Sequence, residues 1–262
     1  MPVITSRDHP LIKQLIKLES SAQYRNKTGL TLLDGEHLIH TYFAEVGVPQ
    51  NLIVSQSYAG NGLSRVISGN KPGKTTIVSD TLFRAISPVK TPTGVLGLIA
   101  IPAEKKPNMH EKEVFSALLE DIQDPGNLGS ILRSAAAAAV GDVYLSKHCV
   151  DVWSPKTLRA AMGAHFFLQL HENCDLPQIA RQFPGTVIAT SIQASKSLFE
   201  VPLMGATAFV FGNEGGGLSE EMIQAADENI SIPMPGKTES LNAAAAAAIC
   251  FFEKVRQAPK HY

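Results

Sequence analysis

The feature that most constrains the fold is a repeated alternation of short apolar runs with segments of helical hydrophobic spacing. This alternation is strongest in the second half of the chain, where helical patterns lie between and after the apolar runs. The strands predicted there are residues 115–120, 143–145, 166–170, 186–189, 208–211 and 230–232. Such alternation is typical of a largely parallel sheet covered by helices. Because ligands of these sheets bind beyond the carboxyl ends of the strands, the loops that follow strands are the candidate sites.

A weaker form of the same pattern precedes residue 102 and predicts a small α/β domain, including a short helix at 63–67. A charged segment that contains proline separates the two patterns. The sequence therefore predicts a domain at 1–102, a linker at 103–113 and a larger domain at 114–262.

The two halves differ in charge. The first 108 residues carry 12 Lys and Arg against 7 Asp and Glu, whereas the remainder carries 11 against 17. A basic half is a candidate surface for phosphate groups, although uneven solvation charge is an alternative explanation. The candidate phosphate contacts near the start are Arg7, Lys13, Lys17, Arg25 and Lys27.

Several protein classes are disfavoured. The polar start has no signal-peptide pattern, and the apolar stretch at 241–252 is shorter than the ~20 residues that span a bilayer. We therefore expect a cytoplasmic protein without a membrane partner. Cys149, Cys174 and Cys250 are far apart, and the eight histidines lack ligand spacing, so neither a disulfide framework nor a metal site is expected.

The first loop of interest follows the predicted strand that begins at residue 115. Its Pro125-Gly126 pair predicts a turn, and Asn127 is a candidate helix N-cap. Arg133 lies six residues later, inside the predicted helix. An ordinary capped helix with a solvent-facing arginine would give the same pattern.

The second loop, residues 212–219, contains three consecutive glycines, which usually indicate close approach or positive φ. It has neither the G-x-G-x-x-G pattern of dinucleotide-binding folds nor the lysine of a P-loop. The Gly-Lys-Thr triplets at 73–75 and 236–238 lack the upstream glycine of that motif, which disfavours a nucleoside triphosphatase. In the third loop, Ser240 is a candidate cap for an alanine-rich helix, which could equally be a closely packed helix without a ligand.

Together, the three loops resemble the motifs of the SpoU family of RNA ribose methyltransferases, in the SPOUT class. The first motif is matched by Asn127 with Arg133 and the second by Gly212-Asn213-Glu214-Gly215. The third is matched by Ile232-Pro233-Met234 followed by Ser240-Leu241-Asn242. In the first domain, Leu32-Leu33-Asp34-Gly35-Glu36 resembles the L30e-like RNA-binding domain of the family, with Asp34 where members usually carry glutamate.

The resemblance implies a fold, an activity and a cofactor. The expected fold is α/β: a carboxyl-terminal SPOUT domain with a parallel sheet and a deep trefoil knot, plus an amino-terminal L30e-like domain. The expected activity is methylation of a ribose 2′-hydroxyl by S-adenosylmethionine. Ribosomal RNA is favoured over transfer RNA, because the separate amino-terminal domain resembles that of ribosomal members.

The resemblance also assigns site residues. Arg133 is expected to stabilise charge on the 2′-oxygen rather than to act as a base, because the pKa of a guanidinium exceeds about 12. The residues expected to hold Arg133 and the RNA are Asn127, Glu214, Ser240 and Asn242. The residues expected to bind the cofactor are Thr190, Gly212, Ile232 and Leu241, with glycine at 212 leaving room for the ligand.

Two other functions and one assembly stay open. An RNA-binding scaffold without activity would have lost Arg133 or the Ser-Leu-Asn motif, and both are present. A SPOUT-class base methyltransferase is the nearest alternative enzyme. The helix at 241–257 is apolar on more than one side, which predicts a homodimer through the carboxyl-terminal domain. Cover by the amino-terminal domain is the alternative.

Overall fold

The computed structural model describes residues 2–62, 66, 73–89, 91–106 and 114–258. The predicted helix at 63–67, apart from Val66, and positions 107–113 of the predicted linker lie outside the described residues. The chain forms two compact units. The first comprises Met1–Ala103 with Asp151–Phe166, and the second comprises Glu104–Val150 with Phe167–Tyr262.

The sheet of the first unit is mixed and has the strand order β1-β4-β3-β5-β2. Strands β1 and β3 run parallel to β4, whereas β5 is antiparallel to both β3 and β2. The strands are β1 (Val3–Ile4), β2 (Leu30–Asp34), β3 (Asn51–Ser55), β4 (Thr75–Val78) and β5 (Val95–Ala100).

All seven strands described in the second unit are parallel, in the order β10-β12-β9-β11-β6-β7-β8. The predicted α/β fold with a parallel sheet is thereby confirmed. The strands are β6 (Phe115–Leu119), β7 (Asp142–Ser146), β8 (Gln169–Cys174), β9 (Thr186–Thr190), β10 (Lys196–Ser197), β11 (Thr207–Phe211) and β12 (Glu228–Ser231).

The helices begin at recognisable caps: the side chains of Ser21, Ser79, Ser154 and Ser219 each accept a bond from a backbone amide in the first turn. The α-helices are α1 (Pro10–Ser20), α2 (Ala22–Thr28), α3 (Glu36–Glu45), α4 (Gln56–Asn61), α5 (Asp80–Ile86), α6 (Pro125–Ala137), α7 (Pro155–Ala161), α8 (Leu176–Gln182), α9 (Glu220–Ala225) and α10 (Ala243–Gln257). Short 3-10 helices form at Ala164–Phe166 and Leu198–Glu200.

Both faces of the second sheet are covered, as expected for parallel strands. On one face, Leu118, Val187 and Val210 belong to a core cluster with residues of α8 and α9. Elsewhere in this unit, Phe251 of α10 packs edge-on against Phe211, with ring centroids 5.4 Å apart. Helix α10 also packs against α6, so the first and third motifs are carried by neighbouring helices.

The predicted strand at 166–170 is wrong in its bounds. Residues Ala164–Phe166 form a 3-10 helix, and β8 begins only at Gln169. Just before this helix, Met162 and Gly163 both have positive φ, at 52° and 91°. His165 is buried, with Nε2 2.7 Å from the Val152 carbonyl oxygen. An apolar run next to a turn was therefore mistaken for a strand.

The predicted domain 114–262 differs from the compact units in one segment. Residues Asp151–Phe166 belong to the first unit, where Arg25 forms an ion pair with Asp151 at 2.5 Å. Because Arg25 is buried, its predicted contact with phosphate is wrong. In the same unit, the Thr31 hydroxyl donates to the Trp153 carbonyl at 2.7 Å.

Two kinds of feature are absent from the described residues. No helix in this part of the chain combines the length and apolar character that a bilayer crossing needs. Across the same residues, no group of three or more His, Cys, Asp or Glu side chains has an arrangement suited to a metal ion.

Candidate active site

Four adjacent strands of the second sheet, in the order β12-β9-β11-β6, end at one edge of the sheet. Thr190 is the last residue of β9, Gly212 follows β11 and Ile232 follows β12. The loop that carries the first motif follows β6 at the same edge. Three of the four predicted cofactor-binding residues therefore lie at neighbouring strand ends, and Leu241 lies two residues before α10.

The first turn of α6 is capped by Asp124. Its carboxylate accepts a hydrogen bond from the Asn127 backbone amide at 2.8 Å, and Pro125 occupies the first turn. The prediction of Asn127 as the N-cap is therefore wrong. Since Asn127 lies within the helix, its side-chain amide is available for other contacts.

A directed chain of hydrogen bonds joins the three motifs. Asn242 caps α10 by accepting bonds from the amides of Ala244 at 2.9 Å and Ala245 at 3.3 Å. Because its oxygen is used in this way, its Nδ2 group donates to Oδ1 of Asn127 at 2.7 Å. The Nδ2 group of Asn127 then donates to Glu214 at 3.0 Å.

Asn242 is thus the cap of α10, a role that the sequence pattern had assigned to Ser240. The bond between Asn242 and Asn127 also fixes the orientation of both side-chain amides, because each oxygen accepts a hydrogen bond and each nitrogen donates one. This series of hydrogen bonds ends on the Glu214 carboxylate. When it is ionised, a carboxylate accepts hydrogen bonds and cannot donate them.

The Glu214 carboxylate also receives two backbone amides of the first motif. Gln123 donates to Oε2 and Asp124 donates to Oε1, each at 3.2 Å. Partial burial raises the pKa of Glu214, but the bonds from Asn127 and from these amides outweigh it and hold the pKa below its ordinary value. Glu214 is therefore charged at neutral pH.

The glycine-rich loop closes on itself. The Asn213 amide donates to the Gly217 carbonyl at 3.0 Å, and the Gly217 amide donates back at 2.9 Å. A Cβ atom placed on Gly212 would lie 2.3 Å from the backbone of Gly217. The loop itself thus requires glycine at 212, and the predicted room for a ligand stays a prediction.

Two predicted site residues lie apart from this chain of bonds. Arg133 is exposed on α6, on the same helix face as Ser130 and Ala137. The side chains of Arg133 and Ser240 form no hydrogen bond or ion pair with the residues that the structure describes. The structure therefore joins Asn127, Glu214 and Asn242, and leaves Arg133 and Ser240 open to solvent.

The sequence motifs do not identify the residues that support the loop between β6 and α6, residues 120–124, which we name the first-motif loop. Asp124 directly precedes Pro125, which is a common start of a helix and could have identified the cap. Ser146, at the end of β7, bonds to Asp121 at 2.5 Å. No local pattern indicates that contact, because the two residues are 25 positions apart.

Comparisons with known proteins settle the family. The model of the SpoU rRNA Methylase family matches residues 115–252, which are more than half of the chain. The chain belongs to the SpoU rRNA methylase family. A second model, the MRM3-like substrate binding domain, matches residues 9–97 of this SpoU protein.

Similar proteins cover nearly the whole chain. An uncharacterized tRNA/rRNA methyltransferase of Synechocystis sp. is 32% identical and covers 97% of this chain and 93% of its own length. The 23S rRNA (guanosine(2553)-2′-O)-methyltransferase RlmP of Bacillus subtilis is 30% identical, with 96% and 98% coverage. The crystal structure of an RNA 2′-O ribose methyltransferase superposes with a TM-score of 0.83 at 27% identity, over 98% of this chain and 99% of the other.

Family membership confirms the predicted enzyme class. The chain is an RNA ribose 2′-O-methyltransferase of the SpoU family, and its methyl donor is S-adenosylmethionine. The motif residues named above all lie within residues 115–252, the range that the family model matches. Their individual roles are taken up below.

Proposed function

We propose that this protein transfers a methyl group from S-adenosylmethionine to a ribose 2′-hydroxyl in ribosomal RNA. The observation that carries the proposal is the chain of bonds from Asn242 through Asn127 to Glu214. It joins all three SpoU motifs at one edge of a parallel sheet, where ligands of such folds bind. An inactive scaffold would have no need of this set of contacts at an open edge.

Arg133 is the proposed catalytic residue. A ribose hydroxyl is a weak acid, so transfer requires stabilisation of the negative charge that develops on its oxygen. The guanidinium of Arg133 is exposed and unpaired among the described residues, so its donors are available to the RNA. The proposed supporting residues are Asn127, Glu214, Ser240 and Asn242.

The strand edge fits the cofactor. S-adenosylmethionine supplies a methyl group activated by its sulfonium, and its adenine needs an apolar surface. Two exposed residues offer apolar side chains there: Ile192, 67% exposed, follows the end of β9, and Leu241, 38% exposed, precedes the start of α10. The hydroxyl of Thr190 donates to the Val210 carbonyl at 2.9 Å, which leaves its lone pairs free to accept. We propose that Thr190 and the backbone of Gly212, Ile232 and Leu241 hold the cofactor.

The first 102 residues are the proposed substrate-binding domain, with a linker at 103–113 and a catalytic domain at 114–262. The match of residues 9–97 to a substrate-binding model supports this role, as does the net positive charge of the first 108 residues. The name of the Bacillus relative, which specifies 23S rRNA, favours ribosomal RNA as the substrate. We further propose that this domain is L30e-like.

Three finer features complete the proposal. A deep trefoil knot in the carboxyl-terminal domain is supported by membership of the SpoU family. A homodimer through α10 is supported by Phe252, which is 48% exposed on a helix whose other side is buried. A cytoplasmic location is supported by the similarity to the ribosomal RNA methyltransferase of Bacillus subtilis.

A transfer assay tests the proposal. Purified protein is incubated with methyl-labelled cofactor and either ribosomal or transfer RNA, and the labelled nucleosides are identified. We expect 2′-O-methylated nucleosides from ribosomal RNA. Labelled bases would establish a base methyltransferase instead, and no calorimetric binding of S-adenosylmethionine would establish a scaffold. Ribose-methylation mapping of RNA from a deletion strain then locates the nucleotide.

A further inference from the structure

The loop after β7 lies outside the three motifs, but it contacts the first-motif loop repeatedly. We name residues 146–150 the β7 loop. Its residues bond three consecutive residues of the first-motif loop. The Val150 amide donates to the Ile122 carbonyl at 2.8 Å, and the Gln123 side chain donates to the His148 carbonyl.

The third of these contacts is the most specific. The Ser146 hydroxyl accepts a bond from the Asp121 amide at 2.9 Å and donates to the Asp121 carboxylate at 2.5 Å. One hydroxyl thus binds both the main chain and the side chain of Asp121.

Asp121 has a left-handed backbone, with φ of 55°, a conformation that costs a residue with a side chain free energy. Both bonds with Ser146 are made in this conformation. The Asp121 carbonyl accepts a bond from the Asn213 side chain at 2.8 Å. Two and three residues further on, the amides of Gln123 and Asp124 donate to Glu214.

We propose that Ser146 is a positioning residue for methyl transfer: it fixes the first-motif loop so that the Asn127–Glu214 pair is held in its active geometry. Ser146 touches neither cofactor nor RNA in this proposal and acts through Asp121. The inference rests on the proposed function, because it assigns Ser146 a part in that same site.

Three variants test the proposal in the full-length protein. Ser146→Ala removes both bonds to Asp121, and we expect kcat at saturating RNA and cofactor to fall about 10-fold, because small displacements at a reacting centre are costly. The KM for RNA should stay within about two-fold of the original, since no RNA contact is lost. Ser146→Thr keeps the hydroxyl and should restore most of kcat.

Ser116→Ala is the matched control. Its hydroxyl is buried in β6 and has no hydrogen-bond partner in the described structure, so its removal should leave kcat unchanged. Gln123→Ala is the third test variant. Because Gln123 is exposed, its truncation spares the core, and we expect a smaller fall in kcat in the same direction.

Hydrogen–deuterium exchange gives a readout that does not depend on activity. In Ser146→Ala, amides within residues 121–127 should exchange faster, while those of β6 keep their protection. Unchanged kcat in Ser146→Ala, a loss confined to KM, or unchanged exchange would each overturn the proposal. If the unaltered protein methylates no RNA, the proposed function fails, and the exchange experiment still decides whether Ser146 holds the loop.

Discussion

At the residue scale, the charged groups of Glu214 and Arg133 differ in whether the described part of the protein provides their hydrogen-bond partners. Glu214 is satisfied by a side-chain amide and two backbone amides, which fix its position and lower its pKa. The Arg133 side chain is exposed and has no partner among the described residues, so its donors are available to RNA, to the cofactor or to a second subunit. We therefore propose that the Glu214 carboxylate holds the site together and that the Arg133 guanidinium takes part in methyl transfer.

Replacement of Arg133 by alanine should abolish methyl transfer while cofactor affinity stays nearly the same. The reason is that Arg133 lies on α6, whereas the residues proposed to bind the cofactor follow β9, β11 and β12 or precede α10. Single-turnover transfer and calorimetric titration measure the two effects separately. Near-normal turnover at saturating RNA would show that the assigned role is wrong.

A second residue-scale prediction concerns His171, which is buried between two carboxylates. Its Nε2 lies 2.8 Å from Asp142 and its Nδ1 lies 2.8 Å from Glu104, while its ring stacks on Tyr144. Burial lowers the pKa of His171, but the bonds and charges of the two carboxylates outweigh it, so its pKa is raised above 6.5.

This shift makes stability depend on pH. A raised pKa in the folded state stabilises the protein fully below the ordinary value of 6.5, and the contribution is lost as pH rises through the folded pKa. The difference in unfolding free energy between the original protein and His171→Asn should therefore shrink from pH 6.5 to pH 8.5, measured by urea titration.

His165→Asn is the matched control for this titration. Burial lowers the pKa of His165 to about 4, so this histidine is neutral in the folded state, whereas the unfolded state loses its charge as pH rises above the ordinary pKa of 6.5. The corresponding difference for His165 should therefore rise slightly across the same range, opposite in sign to the change for His171. A flat or rising difference for His171 would contradict the assignment of the charged state.

At the scale of elements, the start of α10 does two things at once. Asn242 caps the helix with its oxygen and reaches the first motif with its nitrogen. The alanine-rich first turns permit close packing against α6, and the Phe251 ring packs edge-on against Phe211. The opposite side of the helix exposes Phe252, which is where a partner helix is expected.

We predict that the protein is a homodimer and that Phe252→Ser weakens it. Burial of an exposed phenylalanine at an interface contributes roughly 1.5–3 kcal/mol for each side chain. Light scattering at micromolar concentration should give about twice the chain mass of 28.1 kDa for the original protein. Phe199→Ser, which changes a similarly exposed phenylalanine outside α10, should leave the mass unchanged. A mass near that of one chain for the original protein would reject the dimer.

At the scale of the whole molecule, the excess of basic residues in the first domain predicts how the strength of RNA binding depends on salt. If the basic first domain binds RNA through phosphates, log affinity should fall linearly with log salt, by about 0.7–0.9 for each phosphate neutralised. Lys27→Ala should reduce that slope by about one, since Lys27 is exposed. Lys13→Ala should change it less, because Lys13 already pairs with Asp8 at 2.8 Å.

Filter binding at several salt concentrations measures these slopes in the full-length chain. The full chain is needed because deletion of residues 1–102 would remove Arg25 and leave Asp151 without its partner. A slope that is the same in all three proteins would place the RNA contacts elsewhere.

The sequence alone determined the class of fold, the family and the loops that form the site. Alternation of apolar runs and helical patterns is local, and the carboxyl ends of parallel strands necessarily share an edge, so the three motif loops could be placed without coordinates. The resemblance then supplied Asn127, Glu214 and Asn242, which the structure brings together.

Only the tertiary structure decided which polar group serves which partner. The bond from Asn242 to Asn127, the burial of Arg25 against Asp151 and the bond from Ser146 to Asp121 all required it. Several candidate donors and acceptors stand within a few residues of each helix start, and local pattern favours none of them decisively. Contacts between residues 25 to 126 positions apart make the choice, because a polar group leaves water only where a partner from elsewhere in the chain replaces it.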